Sequence, residues 1–208
     1  MKKTDWDHYY KKPYKLNSYL KKTVTRKLVK YISAHSSQTR GFTITEFGGG
    51  NSCFYEPFDA VFKPSKYFIV DNNQVGLDEL KQRTGERENL ELICHDIFEP
   101  LLSIKSHIVF SVGLIEHFPP EETRKAIQAH LDIVEEKGIV ILGFPTPTLL
   151  YRIARKISEM CRTWIFHDER PLEIPEVLET LKPDFDILET GIIYSIIFTQ
   201  AFVVARKK

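Results

Sequence analysis

Apolar residues along this chain fall into two alternating rhythms. Phe42-Thr-Ile-Thr-Glu-Phe47 and Tyr67-Phe-Ile-Val-Asp71 are short runs dense in β-branched and aromatic residues, the pattern of buried strands. Elsewhere the apolar positions recur every three or four residues. Leu20, Val24, Leu28 and Tyr31 with Ile32 predict a helix that Asn17 or Ser18 can cap. A second helix runs from near Leu77 to Arg83 and stops before Gly85. A third, Glu121 to Val134, follows Pro119-Pro120 and buries Ala126, Ile127, His130, Leu131 and Val134. Phe54, Phe58 and Phe62 keep helical spacing, but Pro57 removes a hydrogen-bond donor, which predicts a short or irregular helix there. Leu149, Leu150, Ile153, Ile157, Met160 and Trp164 form a further apolar stripe, with Arg152, Arg155, Lys156 and Arg162 elsewhere on the same helix. A stripe at this spacing usually packs inward, so the expectation is a lid over the sheet, with a membrane-resting amphipathic helix as the alternative.

Strands separated by helices imply a parallel sheet whose ligands bind at the carboxyl ends of its strands. The first strand runs into Gly48-Gly-Gly50, and such a turn brings bare backbone close to a ligand, since glycine has no Cβ and tolerates positive φ. The second strand ends in Asp71, at about the spacing where a βαβ unit offers an acid to a ribose; a carboxylate accepts from both hydroxyls at once. Asp71-Asn-Asn is also good turn chemistry, but the strand-end position favours ribose. The glycine pattern is not that of a dinucleotide site, because Glu46-x-Gly48-x-Gly50-x-Ser52 carries its acid before the turn.

These residues resemble the class I S-adenosylmethionine-dependent methyltransferases. That cofactor lacks phosphate and bears a cationic amino group, so an acid near the turn is useful. Ser52 stands where the family has a third glycine. The resemblance covers residues 40 to 208 in order: Glu91-Leu-Ile-Cys-His-Asp-Ile97 is similar to the third strand, His107 to Phe118 to the fourth strand and its loop, and Lys137 to Pro145 to the fifth. Phe185 to Tyr194 and Phe198 to Arg206 resemble the closing antiparallel pair. The implied fold is α/β: a Rossmann-like, seven-stranded, mostly parallel sheet with an antiparallel C-terminal strand and helices on both faces. The implied domain is 41–208, with a lid insertion at about 147–170 and residues 1–40 as a basic, aromatic helical cap.

The resemblance also implies a cofactor, S-adenosyl-L-methionine, with S-adenosyl-L-homocysteine as product. Glu46, Gly48, Gly49, Gly50, Asp71, Asn72 and Ser111 would bind it, with Asp96 accepting from the adenine amine and the Ile97 backbone meeting the ring. Methyl transfer is an in-line displacement, so the protein has to align the acceptor and relieve it of a proton. His117 is the candidate base, with Glu116 or another acid orienting its ring. Tyr10, Glu116, His167 and Arg170 are candidates for the acceptor pocket. The expected reaction is methylation of a small-molecule hydroxyl on a metabolite, sugar or glycolipid precursor. A noncatalytic cofactor-binding subunit that activates a partner is an alternative, and a nicotinamide oxidoreductase a poorer one.

Composition narrows this. At 208 residues, 42% hydrophobic and 27% charged, the chain has ordinary single-domain proportions. Cys53, Cys94 and Cys161 lack zinc-site spacing, the seven histidines are scattered, and no metal is expected. The odd cysteine count and the absence of a secretory leader predict a cytoplasmic protein. No apolar run reaches the roughly 18 residues of a membrane span. The net charge of +1 hides an asymmetry: residues 1–30 hold ten Lys or Arg against Asp5 and Asp7, while the remainder holds 19 basic and 26 acidic residues. The basic arm carries Trp6, Tyr9, Tyr10, Tyr14 and Tyr19 and reads as a lid with an aromatic side; RNA methylation through it is an alternative, opposed by the acidic body. DNA is disfavoured, because Ser111-Val-Gly-Leu114 replaces the Asn or Asp and Pro-Pro of amino-methylating enzymes and no cysteine occupies a C5-methylating loop. Peripheral membrane contact is a further expectation, and the oligomeric state is not readable.

Overall fold

The computed structural model describes residues 3–11, 17–101 and 103–208. Its elements are α1 (Trp6–Lys11), α2 (Asn17–His35), β1 (Thr43–Phe47), α3 (Tyr55–Phe62), β2 (Lys66–Asp71), α4 (Gln74–Thr84), β3 (Leu90–Cys94), β4 (Ser106–Val112), a 3-10 turn (Ile115–His117), α5 (Pro120–Ile133), β5 (Val134–Pro145), α6 (Leu149–Met160), α7 (Ile174–Leu181), β6 (Phe185–Ile193) and β7 (Gln200–Lys207). The seven strands form one sheet in the order β3-β2-β1-β4-β5-β7-β6. β7 runs antiparallel to both β5 and β6, and the other neighbouring pairs are parallel. This is the sheet the sequence implies.

Period-two alternation distributes side chains to two apolar layers. Ile139 and Ile141 of β5 join Ile44, Ile69 and Phe110 beneath α2, α3 and α4. Val140, Leu142 and Phe144 join Phe47, Val70 and Val109 beneath α5 and α7. Within α2, Val24, Leu28, Tyr31 and Ile32 are the buried stripe that its spacing predicts. Asn17 and Ser18 are already helical, and the residues just before them lie outside the described ones.

Several boundaries depart from the sequence reading for local reasons. α3 is a regular two-turn helix, since Pro57 falls in its first turn, where the missing N–H has no intrahelical partner to lose. β3 stops at Cys94 because Asp96 closes a turn, its Oδ1 accepting from Phe98 N at 3.0 Å. β5 begins at Val134, three residues early, where it pairs with Ser106 ahead of a register shift that Lys137 (φ 62°) accommodates. α6 ends at Met160, short of Trp164, and is capped by Thr148, whose hydroxyl accepts from Tyr151 N. The largest departure lies on α6 itself. Only Tyr151 and Ala154 of this helix are buried, and the apolar stripe expected to pack over the sheet faces solvent. Among the described residues no helix is long and apolar enough to cross a membrane.

β1 and β4 are neighbours whose chains leave the sheet in opposite directions, to β2 on one side and β5 on the other. A crevice opens at the carboxyl ends of strands at such a reversal.

Candidate functional site

β1 delivers its chain to that crevice through Gly48, which adopts φ 69° and donates from its N–H to Val70 O at 2.8 Å. Left-handed backbone at this point is what glycine permits and a bulky residue resists. Beneath the turn, Glu46 is 3% exposed. Its Oε2 accepts from Ser52 Oγ and from Tyr67 Oη, both at 2.7 Å. Burial pushes this carboxyl up to about 8, against the two hydroxyls that donate to it. The acid read as facing a cationic ligand is thus committed to the scaffold. Ser52 is its partner, and the same hydroxyl accepts from Phe54 N at 3.0 Å to start α3.

Asp71 closes β2 at the rim. Its Oδ2 accepts from Gly50 N at 2.8 Å and from Tyr10 Oη at 3.0 Å, and its Oδ1 accepts from Asn73 N at 2.8 Å. Burial raises the carboxyl, and these three donors partly offset it. The carboxylate therefore already takes a hydroxyl donor, which is the chemistry a ribose would present. Tyr10 lies against the bare backbone of the turn: a Cβ on Gly50 would sit 2.2 Å from its Cζ. The structure thus puts Tyr10 beside Asp71 and Gly50. A cavity of about 290 Å³ lies next to it, lined by Tyr9, Tyr10, Lys21, Asn51, Cys53 and Arg83. Asn73 caps α4 by accepting from Gly76 N at 2.8 Å, and its side-chain amide donates to Asp7 Oδ1 at 2.6 Å. This anchors α1 across the turn.

The remaining cofactor candidates are dispersed. Asn72 is exposed and its carbonyl accepts from Cys94 Sγ at 3.9 Å. Asp96 is exposed in the turn after β3, while Ile97 packs against the α5 layer. Ser111 is fully buried on β4, paired with Phe47, and its Oγ has no hydrogen-bond partner.

After β4, Gly113 (φ 74°) turns the chain into Ile115–His117 and brings Glu116 inside. Glu116 is 1% exposed, its Oε2 has no hydrogen-bond partner, and burial pushes it up to about 8. His117 Nδ1 lies 2.9 Å from Asp168 Oδ1, and its Nε2 lies 3.9 Å from Glu116 Oε1. Burial by itself would lower this imidazole, but the hydrogen bond it donates to Asp168, together with the acidic side chains around it, outweighs this and leaves His117 above its ordinary value. Asp168 is held well below the usual carboxylate range: burial opposes this, but His117 and Thr4 prevail, with Thr4 donating from both N and Oγ1. Glu169 is held by the Tyr151 hydroxyl and by Arg155 Nη1 at 3.7 Å. Ligand-capable atoms of Glu116, His117 and Glu169 lie within 4.8 Å of one another, a grouping that the scattered spacing in the sequence conceals. Trp6 of α1 packs edge-on over the His117 ring at 4.9 Å, and Phe166 flanks it at 6.0 Å.

The crevice therefore unites Gly50, Asp71 and Tyr10 on one side with Glu116, His117, Asp168 and Glu169 on the other, under α1. Arg170 stands apart in function: its guanidinium grips both oxygens of Glu176 at 2.8 and 3.0 Å and Thr123 Oγ1 at 3.1 Å, tying the segment to α7 and α5. His167 neighbours Asp168 in sequence and is half-buried, with its N–H donating to Ile165 O. The sequence reading named His167 and Arg170 but missed Asp168 and Glu169 between them. An acid one or two residues from a histidine, as these are from His167, is common, and only the fold shows that they approach His117.

Neither a family model nor a curated protein sequence matches the chain. Solved structures do. Magnesium protoporphyrin IX methyltransferase (ChlM) from Synechocystis PCC 6803 with bound S-adenosylhomocysteine aligns over 89% of this chain and 83% of its own, with TM-score 0.74 and 16% identity. A chain from the complex between the Haloferax volcanii Trm112 methyltransferase activator and a methyltransferase aligns over 100% and 99%, with TM-score 0.73 and 11% identity. N-methyltransferase NodS from Bradyrhizobium japonicum WM9 in complex with S-adenosylhomocysteine aligns over 88% and 86%, with TM-score 0.66 and 12% identity. At such identities the shared property is the fold.

Proposed function

We propose that this chain, whose fold is that of the class I S-adenosylmethionine-dependent methyltransferases, transfers a methyl group from S-adenosylmethionine to a hydroxyl of a small molecule such as a sugar, another hydroxylated metabolite or a glycolipid precursor. The observation that carries the reading is the pairing at one crevice of a strand-end carboxylate, Asp71, with the part-buried His117–Asp168 couple. Asp71 would take the ribose hydroxyls, the Gly48–Gly50 backbone would lie along the cofactor, Asp96 and Ile97 would meet the adenine, and Ser111 would close the floor. The cofactor supplies an activated methyl group on a sulfonium.

The chain's own task is then alignment and proton removal. With Nδ1–H donated to Asp168, the tautomer is fixed and Nε2 is the free acceptor, directed toward Glu116. His117 takes the acceptor hydroxyl's proton at Nε2 as the oxygen attacks, and Asp168 stabilises the imidazolium that forms. Burial raises the Glu116 carboxyl, which in its protonated form can donate a hydrogen bond to the acceptor. α1 acts as a cap: it sets Trp6 over His117 and Tyr10 over Gly50, so water is excluded beneath it. The test is transfer of labelled methyl to a panel of hydroxylated sugars and glycolipids. His117→Ala should lower turnover at least tenfold with little change in cofactor affinity; unchanged turnover removes His117 from the mechanism. A partner-dependent reading has one supporting observation, the likeness to a chain from a complex with an activator. Cofactor binding without turnover across the panel would favour it.

A further inference from the structure

α6 presents two unlike faces. Inward, Tyr151 and Ala154 are buried, the Tyr151 hydroxyl donates to Glu169, and Arg155 donates to the Glu169 carbonyl at 3.0 Å while lying over the Trp164 ring at 5.0 Å. Outward, Leu149 and Met160 are 75% exposed, Ile157 is 55% exposed and Ile153 is 50% exposed, with Leu150 beside them. The loop between β6 and β7 extends this surface with exposed Tyr194 and Ile197. It is pinned there by Phe198, which packs on Trp164 at 5.3 Å and on Tyr151 at 6.2 Å. Seven of the ten exposed large hydrophobic residues among the described ones thus belong to α6 and this loop, a concentration that monomeric surfaces rarely tolerate without an interaction.

Charge indicates what covers the face. Arg152, Lys156 and Arg162 are exposed along or just beyond the helix, and its lone acid, Glu159, is paired with Arg155 at 2.9 Å. A second copy packing isologously would bring these cations toward their own equivalents. An anionic lipid surface would instead receive the apolar side chains below its headgroups and the basic ones among them. We infer that α6, with the tip of the β6–β7 loop, docks this protein on an anionic membrane surface. The inference rests on the placement of the acceptor site at Glu116, His117 and Glu169, because the buried face of the same helix touches Glu169. Docked in this way, the site lies directly behind the bilayer contact, and its acceptor is a hydroxyl carried on a lipid.

The experiment is flotation of the full chain with vesicles of phosphatidylcholine alone and of two parts phosphatidylcholine to one part phosphatidylglycerol. The protein should float with the mixed vesicles and much less with phosphatidylcholine. Ile153→Asn with Ile157→Asn should weaken partitioning by about ten- to a hundredfold, since two exposed side chains lose their apolar insertion. Arg152→Gln with Lys156→Gln should weaken it by about thirtyfold, each basic residue near an anionic surface contributing about a factor of five. Val61→Asn, which removes an exposed apolar residue on α3, should leave it unchanged. No flotation of the unaltered protein, undiminished flotation of the isoleucine variant, or a dimer in light scattering that the isoleucine variant abolishes would each overturn the inference. Calorimetric binding of S-adenosylmethionine to the same variants should match that of the parent protein. Failure of the unaltered protein to float while it still binds cofactor therefore counts against docking alone, whereas absent cofactor binding counts against the methyltransferase reading and leaves the flotation result standing.

Discussion

Asp168→Asn isolates the electrostatic half of the His117 couple. The imidazole Nδ1 lies 2.9 Å from Asp168 Oδ1, in a setting where burial favours the neutral ring and the carboxylate favours the charged one. Asparagine keeps the shape and an accepting oxygen but removes the charge. A hydrogen bond to a charged group contributes about 1.5–3 kcal/mol and a neutral one about 0.5–1.5, so the loss is about 1–1.5 kcal/mol. Removing the charge therefore lowers the His117 pKa. Titration of the His117 ring Cε1 proton by NMR reads this directly, without acceptor or cofactor. The sign for stability follows. A histidine raised in the folded state contributes stability that is full below its unfolded value of about 6.5 and is lost as pH rises through the folded value. Asp168, depressed in the folded state, contributes stability above its unfolded value and loses it as pH falls. Urea denaturation should therefore find the variant most destabilised between about pH 4 and 6.5, with the difference narrowing above. A His117 pKa unmoved by the substitution would refute the coupling and with it the assignment of Nε2 as the proton acceptor.

Two further substitutions probe the turn. Tyr10→Phe removes the hydroxyl bonded to Asp71 Oδ2 at 3.0 Å while keeping the ring over Gly50; S-adenosylmethionine binding should tighten about tenfold, the equivalent of one hydrogen bond to a charged group, as read by calorimetry. Equal or weaker binding would show that the hydroxyl does not compete for the carboxylate. Glu46 has a carboxyl raised from 4.5 to about 8 by burial, so the folded state keeps a proton that the unfolded chain gives up. Stability falls as pH rises across that interval, by at most about 1.4 kcal/mol per pH unit for one group. Glu46→Gln should flatten the decline in urea unfolding free energy between pH 5 and 8, and an unchanged slope would contradict the burial argument.

What the sequence revealed and what it hid divide along physical lines. Strand identity was readable because Thr43–Phe47 and Lys66–Asp71 concentrate β-branched and aromatic residues, and strand order followed from the resemblance of successive segments. The turn after β1 was readable because only glycine meets its backbone demands. Glu46 was visible as a residue but not in its role, since its bonds to Ser52 and Tyr67 join positions 6 and 21 residues away. Asp168 was hidden for the same reason, lying 51 residues from His117. Periodicity identified α6 as amphipathic but could not say which way its stripe points. That depends on what the rest of the fold leaves available to cover it, and here Tyr151 and Ala154 supply the inward contact instead.

Asp71 and the glycine turn are proposed to hold S-adenosylmethionine. Calorimetric titration of S-adenosylmethionine, S-adenosylhomocysteine and NAD into the full chain, with Asp71→Ala alongside, tests it most directly. Both sulfur nucleosides should bind saturably, at least tenfold more weakly to the variant, with no comparable binding of NAD. Preferential binding of NAD, or sulfur-nucleoside binding indifferent to Asp71, would contradict it.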